Sequence, residues 1–205
     1  MDWDFTRLSD RNYVQQLLEQ GMSPDAYDVD NDLNLLQTCV EYEAYESMLL
    51  LLKFGADPNK IREGTKYPIV IAAEIYFWHG LILLVEYGAI VNVDNDGVSP
   101  LGIAVELSDA AAVKFLLAAG ALPNLPTSQG TNALFLCVDS DIFDILLAYH
   151  GDVNSYDKNG TPLLHVYIKE REQQLIERIL SVQGLNIDCI DQSGYSALMI
   201  AMLFN

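Results

Sequence analysis

Positive charge is scarce in this sequence. Eleven Lys and Arg stand against 29 Asp and Glu, a formal net charge of −18. Such a field repels phosphate backbones, so direct nucleic-acid binding has no electrostatic support. It would steer a basic partner in, at a rate that falls with salt, although acidity also serves solubility alone. Long apolar runs are missing as well. Stretches such as SMLLLLKFGAD are short and broken by Lys or Gly, well under the roughly 20 residues a membrane span needs. The first residues, MDWDFTRLSDR, bring acids early and no apolar signal-peptide core. The three cysteines, Cys39, Cys137 and Cys189, are odd in number and lack metal-ligand spacing. They fit a reducing compartment better than a disulfide framework. These absences together predict a cytoplasmic chain, or one in a host cytosol if it is a secreted effector.

What the sequence does have is a period. Six segments repeat one plan: QQLLEQGMSPD, LLLLKFGADPN, LILLVEYGAIVN, KFLLAAGALPN, DILLAYHGDVN and RILSVQGLNID. Each holds an apolar cluster, a stop residue and a short extended piece that reaches Asn or Asp. The stops are Gly21, Gly55, Gly88, Gly120, His150 and Gly184, separated by 34, 33, 32, 30 and 34 residues. A second signature runs in phase with the first: DNDGVSPLGIAV at 94–105, TSQGTNALFLCV at 127–138, DKNGTPLLHVYI at 157–168 and DQSGYSALMIAM at 191–202.

On these two signatures the chain resembles the ankyrin repeat family, whose unit of two helices and turns is about 33 residues long with a T-P-L-H-x-A start. The resemblance covers essentially the whole chain. It implies an all-α fold with short β-hairpin turns, an ankyrin-repeat solenoid of about six repeats plus a partial C-terminal one. The register predicts a single domain over 1–205, with repeats at 1–27 (an N-terminal cap beginning on an inner helix), 28–60, 61–93, 94–125, 126–155, 156–188 and a partial 189–205. Gly at a stop suits the left-handed residue that ends many helices, and Pro suits a first helical turn. One helix pair cannot bury its own apolar face, so neighbours must stack. Terminal repeats normally turn a polar face outward. The apolar stretch ALMIAMLFN instead calls for cover, by further chain or by another surface.

The departures are informative. The fifth repeat is three residues short between its helices, which predicts a tight inter-helix turn there. His150 stands where the other repeats have a stop glycine, which predicts local strain or a different helix end. The third repeat carries an extra residue after Gly64 in its hairpin. If the host is eukaryotic, the resemblance also implies hydroxylation of Asn59, Asn92, Asn124 or Asn154.

No catalytic constellation is visible. His79, His150 and His165 belong to different repeats and have no i, i+4 partners, so no metal site is predicted. There is no Gly-rich phosphate loop, nucleophile elbow or ordered Ser/His/Asp set. His165 holds the motif's histidine place and is read as structural. Cys39 and Cys137 are read as core, and Cys189 as more exposed. The chain is therefore predicted to be no enzyme and to need no cofactor, with a cryptic carboxylate site as the remote alternative.

The stretch that resists absorption is Tyr76-Phe77-Trp78-His79. In register these residues fall at the end of an inner helix and the turn after it, where the family is polar. Ile69, Ile71, Ala72, Leu81, Leu83 and Leu84 already supply the core, so the aromatics are predicted to be surplus. The same zone of the second repeat reads EYEAYE. The resemblance places partner binding on hairpin tips and inner-helix ends. That predicts a protein-binding face of Tyr42, Tyr45, Tyr76, Phe77, Trp78 and His79 among Glu41, Glu43, Glu46, Glu74, Glu106 and Asp109. Its partner would be a basic or amphipathic protein segment. A free-standing acidic array suits a stoichiometric inhibitor of the immunity or antitoxin kind. The alternative is a targeting domain of a larger protein, such as a bacterial effector that recruits a host factor.

Overall fold

The computed structural model describes residues 4, 7–28, 32–93, 95, 98–127 and 130–204. Residues 29–31 and 128–129, and residues 94, 96 and 97 of the fourth repeat's signature, fall outside that set. The chain divides into two compact units, residues 1–95 and 96–205.

The first unit holds α1 (Arg11–Glu19), α2 (Leu35–Glu41), α3 (Tyr45–Lys53), α4 (Pro68–Glu74) and α5 (Trp78–Glu86). α2 pairs with α3 and α4 with α5. Inner helix α2 stacks on α4 and outer helix α3 on α5. α1 also packs on α3, so the described helix of the first repeat is its outer one. Gly21 stops α1 just as Gly55 stops α3, and the inner helix expected ahead of α1 falls largely outside the described residues.

Local sequence explains the helix ends. Asn34 and Gln37 form a reciprocal capping box at α2, and Pro68 opens α4 where a missing N–H costs nothing. α3 and α5 have no side-chain cap. Their entry is fixed by the backbone: Ala44 N–H donates to Cys39 O and Phe77 N–H to Ala72 O, both at 2.8 Å. That loop requires a left-handed residue just before, and Glu43 (φ 52°) and Tyr76 (φ 63°) supply it.

Polar side chains tie each repeat to the next. The Asn59 amide donates to Gly88 O at 3.0 Å while its oxygen accepts from Ile90 N–H at 2.8 Å. Asp25 takes this place one repeat earlier, accepting from Asp57 N–H and pairing with Lys60 at 3.3 Å. Buried Gln37 reaches the third repeat's hairpin, donating to Lys66 O at 2.7 Å.

The second unit holds α6 (Pro100–Glu106), α7 (Ala110–Ala118), a single 3-10 turn at Ala133–Leu136, α8 (Ser140–Ala148), α9 (Leu163–Glu170), α10 (Gln173–Leu180) and α11 (Ala197–Phe204). The three-residue deficit of the fifth repeat is taken from its inner helix, which shrinks to the 3-10 turn, and not, as expected, from the inter-helix turn. A short 3-10 segment leaves carbonyls unpaired. Tyr167 of α9 reinforces the turn, its buried hydroxyl donating at 2.6 Å to Leu134 O, which otherwise accepts only a long bond from Cys137 N–H at 3.3 Å. Burial pushes that phenol well above its ordinary range, so it remains a donor. His150 adopts the left-handed stop itself (φ 67°), so the helix end is conserved in form at a non-glycine residue. The ladder continues through it: Asn124 donates to His150 O and accepts from Asp152 N–H, each at 2.7 Å. Asn154 repeats the pattern with Gly184 O and Asn186 N–H. α11 packs on α9, inner helix on inner helix.

Candidate protein-binding face

Because α2 stacks on α4 and α3 on α5, the two inter-helix turns of the first unit are neighbours. Structurally equivalent positions carry Glu43 and Tyr76 at the left-handed residue, Ala44 and Phe77 at the helix entry, and Tyr45 and Trp78 at the first helical position. Tyr42 is 61% exposed and Tyr76 59%, and Tyr45 also stands in solvent. Trp78 is half-buried, and His79 is exposed on the first turn of α5.

Phe77 departs from the expectation. It is 9% exposed, and its ring lies against Gly80, where an added Cβ would come within 2.3 Å of it. The phenylalanine is core, not surplus, and the small residue it needs is its own neighbour three positions on. That pairing was the available signal in the sequence: a glycine inside an apolar helix beside a bulky residue.

The acids also separate by role. Glu43 and Glu46 are exposed and form no ion pair among the described residues, and Glu41 borders them at the end of α2. Its carboxyl reaches solvent, yet desolvation by its surroundings raises its pKa above the usual range. Glu74 is held by Lys66 at 2.6 Å. Asp109 and Glu106 lie in the second unit. Asp109 caps α7, accepting from Ala111 and Ala112 N–H at 3.0 Å each, while Glu106 is exposed at the end of α6. The structure thus gathers Tyr42, Tyr45, Tyr76, Trp78, Glu41, Glu43 and Glu46 on the two adjacent turns, and it gives Phe77 and Asp109 structural work.

The reactive side chains are muted. Cys39 and Cys137 are buried, and burial pushes both thiols up to about 12. Cys189, predicted to be exposed, is buried too. Its sulfur lies 3.9 Å from His165 Nε2, and burial raises the thiol while it lowers the imidazole. Both shifts disfavour a thiolate–imidazolium pair. Among the described residues no group of three or more His, Cys, Asp or Glu could hold a metal ion, and no helix is long and apolar enough to cross a membrane.

Residues 36–127 match the model of ankyrin repeats in three copies. The human SH3 and multiple ankyrin repeat domains protein 2 is 27% identical over 97% of this chain and 11% of its own length. A putative ankyrin repeat protein of fowlpox virus is 31% identical over 93% of this chain and 39% of its own. The chain spans less than half the length of these curated relatives. Among solved structures, the ankyrin repeat domain of Bcl-3 superposes with a TM-score of 0.83 at 20% identity, covering 98% of this chain and 95% of that one.

Proposed function

We infer that this chain, whose residues 36–127 are ankyrin repeats and whose fold is that of an ankyrin-repeat domain, works as a protein–protein interaction module, and we propose that its turns in repeats two and three hold a basic or amphipathic protein segment. The observation that carries the reading is the exposure of Tyr42, Tyr45 and Tyr76 on adjacent turns beside Glu41, Glu43 and Glu46. Exposed aromatic clusters are an aggregation liability unless something covers them. Aromatic anchors within a polar rim are how binding energy is concentrated at interfaces. The rim and the −18 net charge favour a cationic partner and raise its association rate.

Such a surface acts by occupancy. Ankyrin repeats are typically non-enzymatic, and the buried thiols and neutral histidine argue for no nucleophile here. The role this favours is a stoichiometric binder that masks or sequesters its partner.

The test is affinity capture from the source organism at low and moderate salt, comparing the wild type with Tyr42→Ser/Tyr76→Ser. A basic protein held only by the wild type, and released as salt rises, supports the reading. Equal capture by both proteins overturns it.

A further inference from the structure

α2 and α4 share one register: Asn34 and Tyr67 stand at their N-caps, and Glu41 and Glu74 are their last residues. A carboxylate there lies against the negative end of the helix dipole, a cost that a nearby cation offsets. Neither helix has a basic residue in its own last turn. In the third repeat the hairpin supplies the cation. Lys66, just before the cap, places Nζ 2.6 and 2.7 Å from the two carboxylate oxygens of Glu74. In the second repeat Leu33 holds the place of Lys66, and Glu41 forms no ion pair among the described residues.

We propose, resting on the tyrosine face inferred above, that Glu41 is its charge-recognising residue and takes the ammonium of a lysine in the bound segment, seated as Lys66 is on Glu74. The chain thus carries its own example of the contact one repeat away. What differs in the second repeat is the surroundings. Tyr42 follows Glu41 directly and Tyr45 opens α3 across the same turn, both exposed. Tyrosine faces already hold cations in this chain: the Arg62 guanidinium lies 4.1 Å from the ring centroid of Tyr27, and that of Arg7 lies 4.4 Å from Tyr13.

The aromatic neighbours single out Glu41. Glu106 ends α6 in the same register with Val98 at the lysine place, but Leu107 and Ala110 stand where Tyr42 and Tyr45 do. Desolvation also raises the Glu41 carboxyl above its usual range. Water therefore solvates this anion incompletely, and a cation beside it gains more than at an open carboxylate.

Octalysine is the probe, titrated at low salt against the wild type and three variants of equal net charge. Leu33→Lys gives Glu41 a cation of its own, Glu41→Gln removes the anion, and Glu86→Gln in the last turn of α5 is the reference. The first two should bind octalysine about fivefold more weakly than the reference, the order of one exposed ion pair with a cation–π contact. Without any probe, carbon NMR of Leu33→Lys should find the Glu41 carboxyl titrating at lower pH than in the wild type, because the new ammonium favours its charged form. An unchanged Glu41 titration would overturn the proposal, and so would binding equal to the reference in both variants. Tyr42→Ser/Tyr76→Ser tells a failed seat from a failed face. Binding lost there but kept in both Glu41 tests overturns the seat and leaves the face; indifference of all three removes both.

Discussion

The ring of Phe77 lies on Gly80, so close that a β-carbon at residue 80 would sit 2.3 Å from a ring carbon. The contact locks the α4–α5 turn in place of the side-chain cap that α5 lacks. Phe77→Ala should cost about 3–5 kcal/mol as a cavity opens. Gly80→Ala should cost about 1–3 kcal/mol by driving the ring out of its seat. In urea titrations the double variant should cost less than the sum of the two, because the residues act on one contact. A loss below about 1 kcal/mol for Phe77→Ala would show that the ring is dispensable.

Tyr76 next to it lives under the opposite regime. It holds φ 63°, a conformation that disfavours L side chains by roughly 1–2 kcal/mol, and it exposes its ring. A residue strained and exposed is poor for the fold, which is what a binding residue looks like. Tyr76→Gly should therefore stabilise the chain by about 1 kcal/mol while it weakens partner binding by more than about 2 kcal/mol. Calorimetry of the free protein and of its complex checks both signs. A variant that is less stable, or binds equally well, would count against the assignment.

The two residues show how far the sequence could be read. The period of stops and the in-phase second signature made the repeat plan legible, because Gly, Pro and Asn mark backbone requirements directly. Residue roles within the turn were not legible from type alone. Phe77 and Trp78 look equivalent as letters; Gly80 signals that some bulky residue comes close, and the fold shows that it is residue 77 and that residue 76 takes the left-handed place. Asp109 likewise reads as rim charge until the start of α7 is located, and then it is a cap. In the first repeat, the stop at Gly21 marked the end of an outer helix, and the contact of α1 with α3 agrees.

The fifth repeat supplies a third prediction. Three missing residues announced an irregularity, but not that an α-helix would give way to Ala133–Leu136 or that Tyr167 would compensate from the next repeat. Tyr167→Phe keeps the ring against Phe143 and leaves buried Leu134 O with only the longer bond from Cys137 N–H at 3.3 Å. The expected loss is about 1–3 kcal/mol, with faster amide exchange at 133–138 than at the start of α6. Unchanged exchange there would mean the turn holds without the phenol.

His165 gives the fold a pH dependence whose sign can be fixed. The imidazole is fully buried, and its Nδ1 finds no hydrogen-bond partner among the described residues. Burial lowers its pKa below the ordinary 6.5 of a histidine, with Asp191 opposing and Lys169 assisting that shift. The unfolded chain then binds the proton more readily than the folded one. The neutral histidine's contribution is complete above pH 6.5 and is lost as pH falls through the lower folded value. Urea midpoints should thus decline between neutral pH and about pH 5, where carboxylates are still largely ionised. In His165→Gln that decline should flatten, whatever the substitution does to stability at neutral pH. Parallel curves for the two proteins would place the acid sensitivity on other groups and leave His165 a passive part of the core.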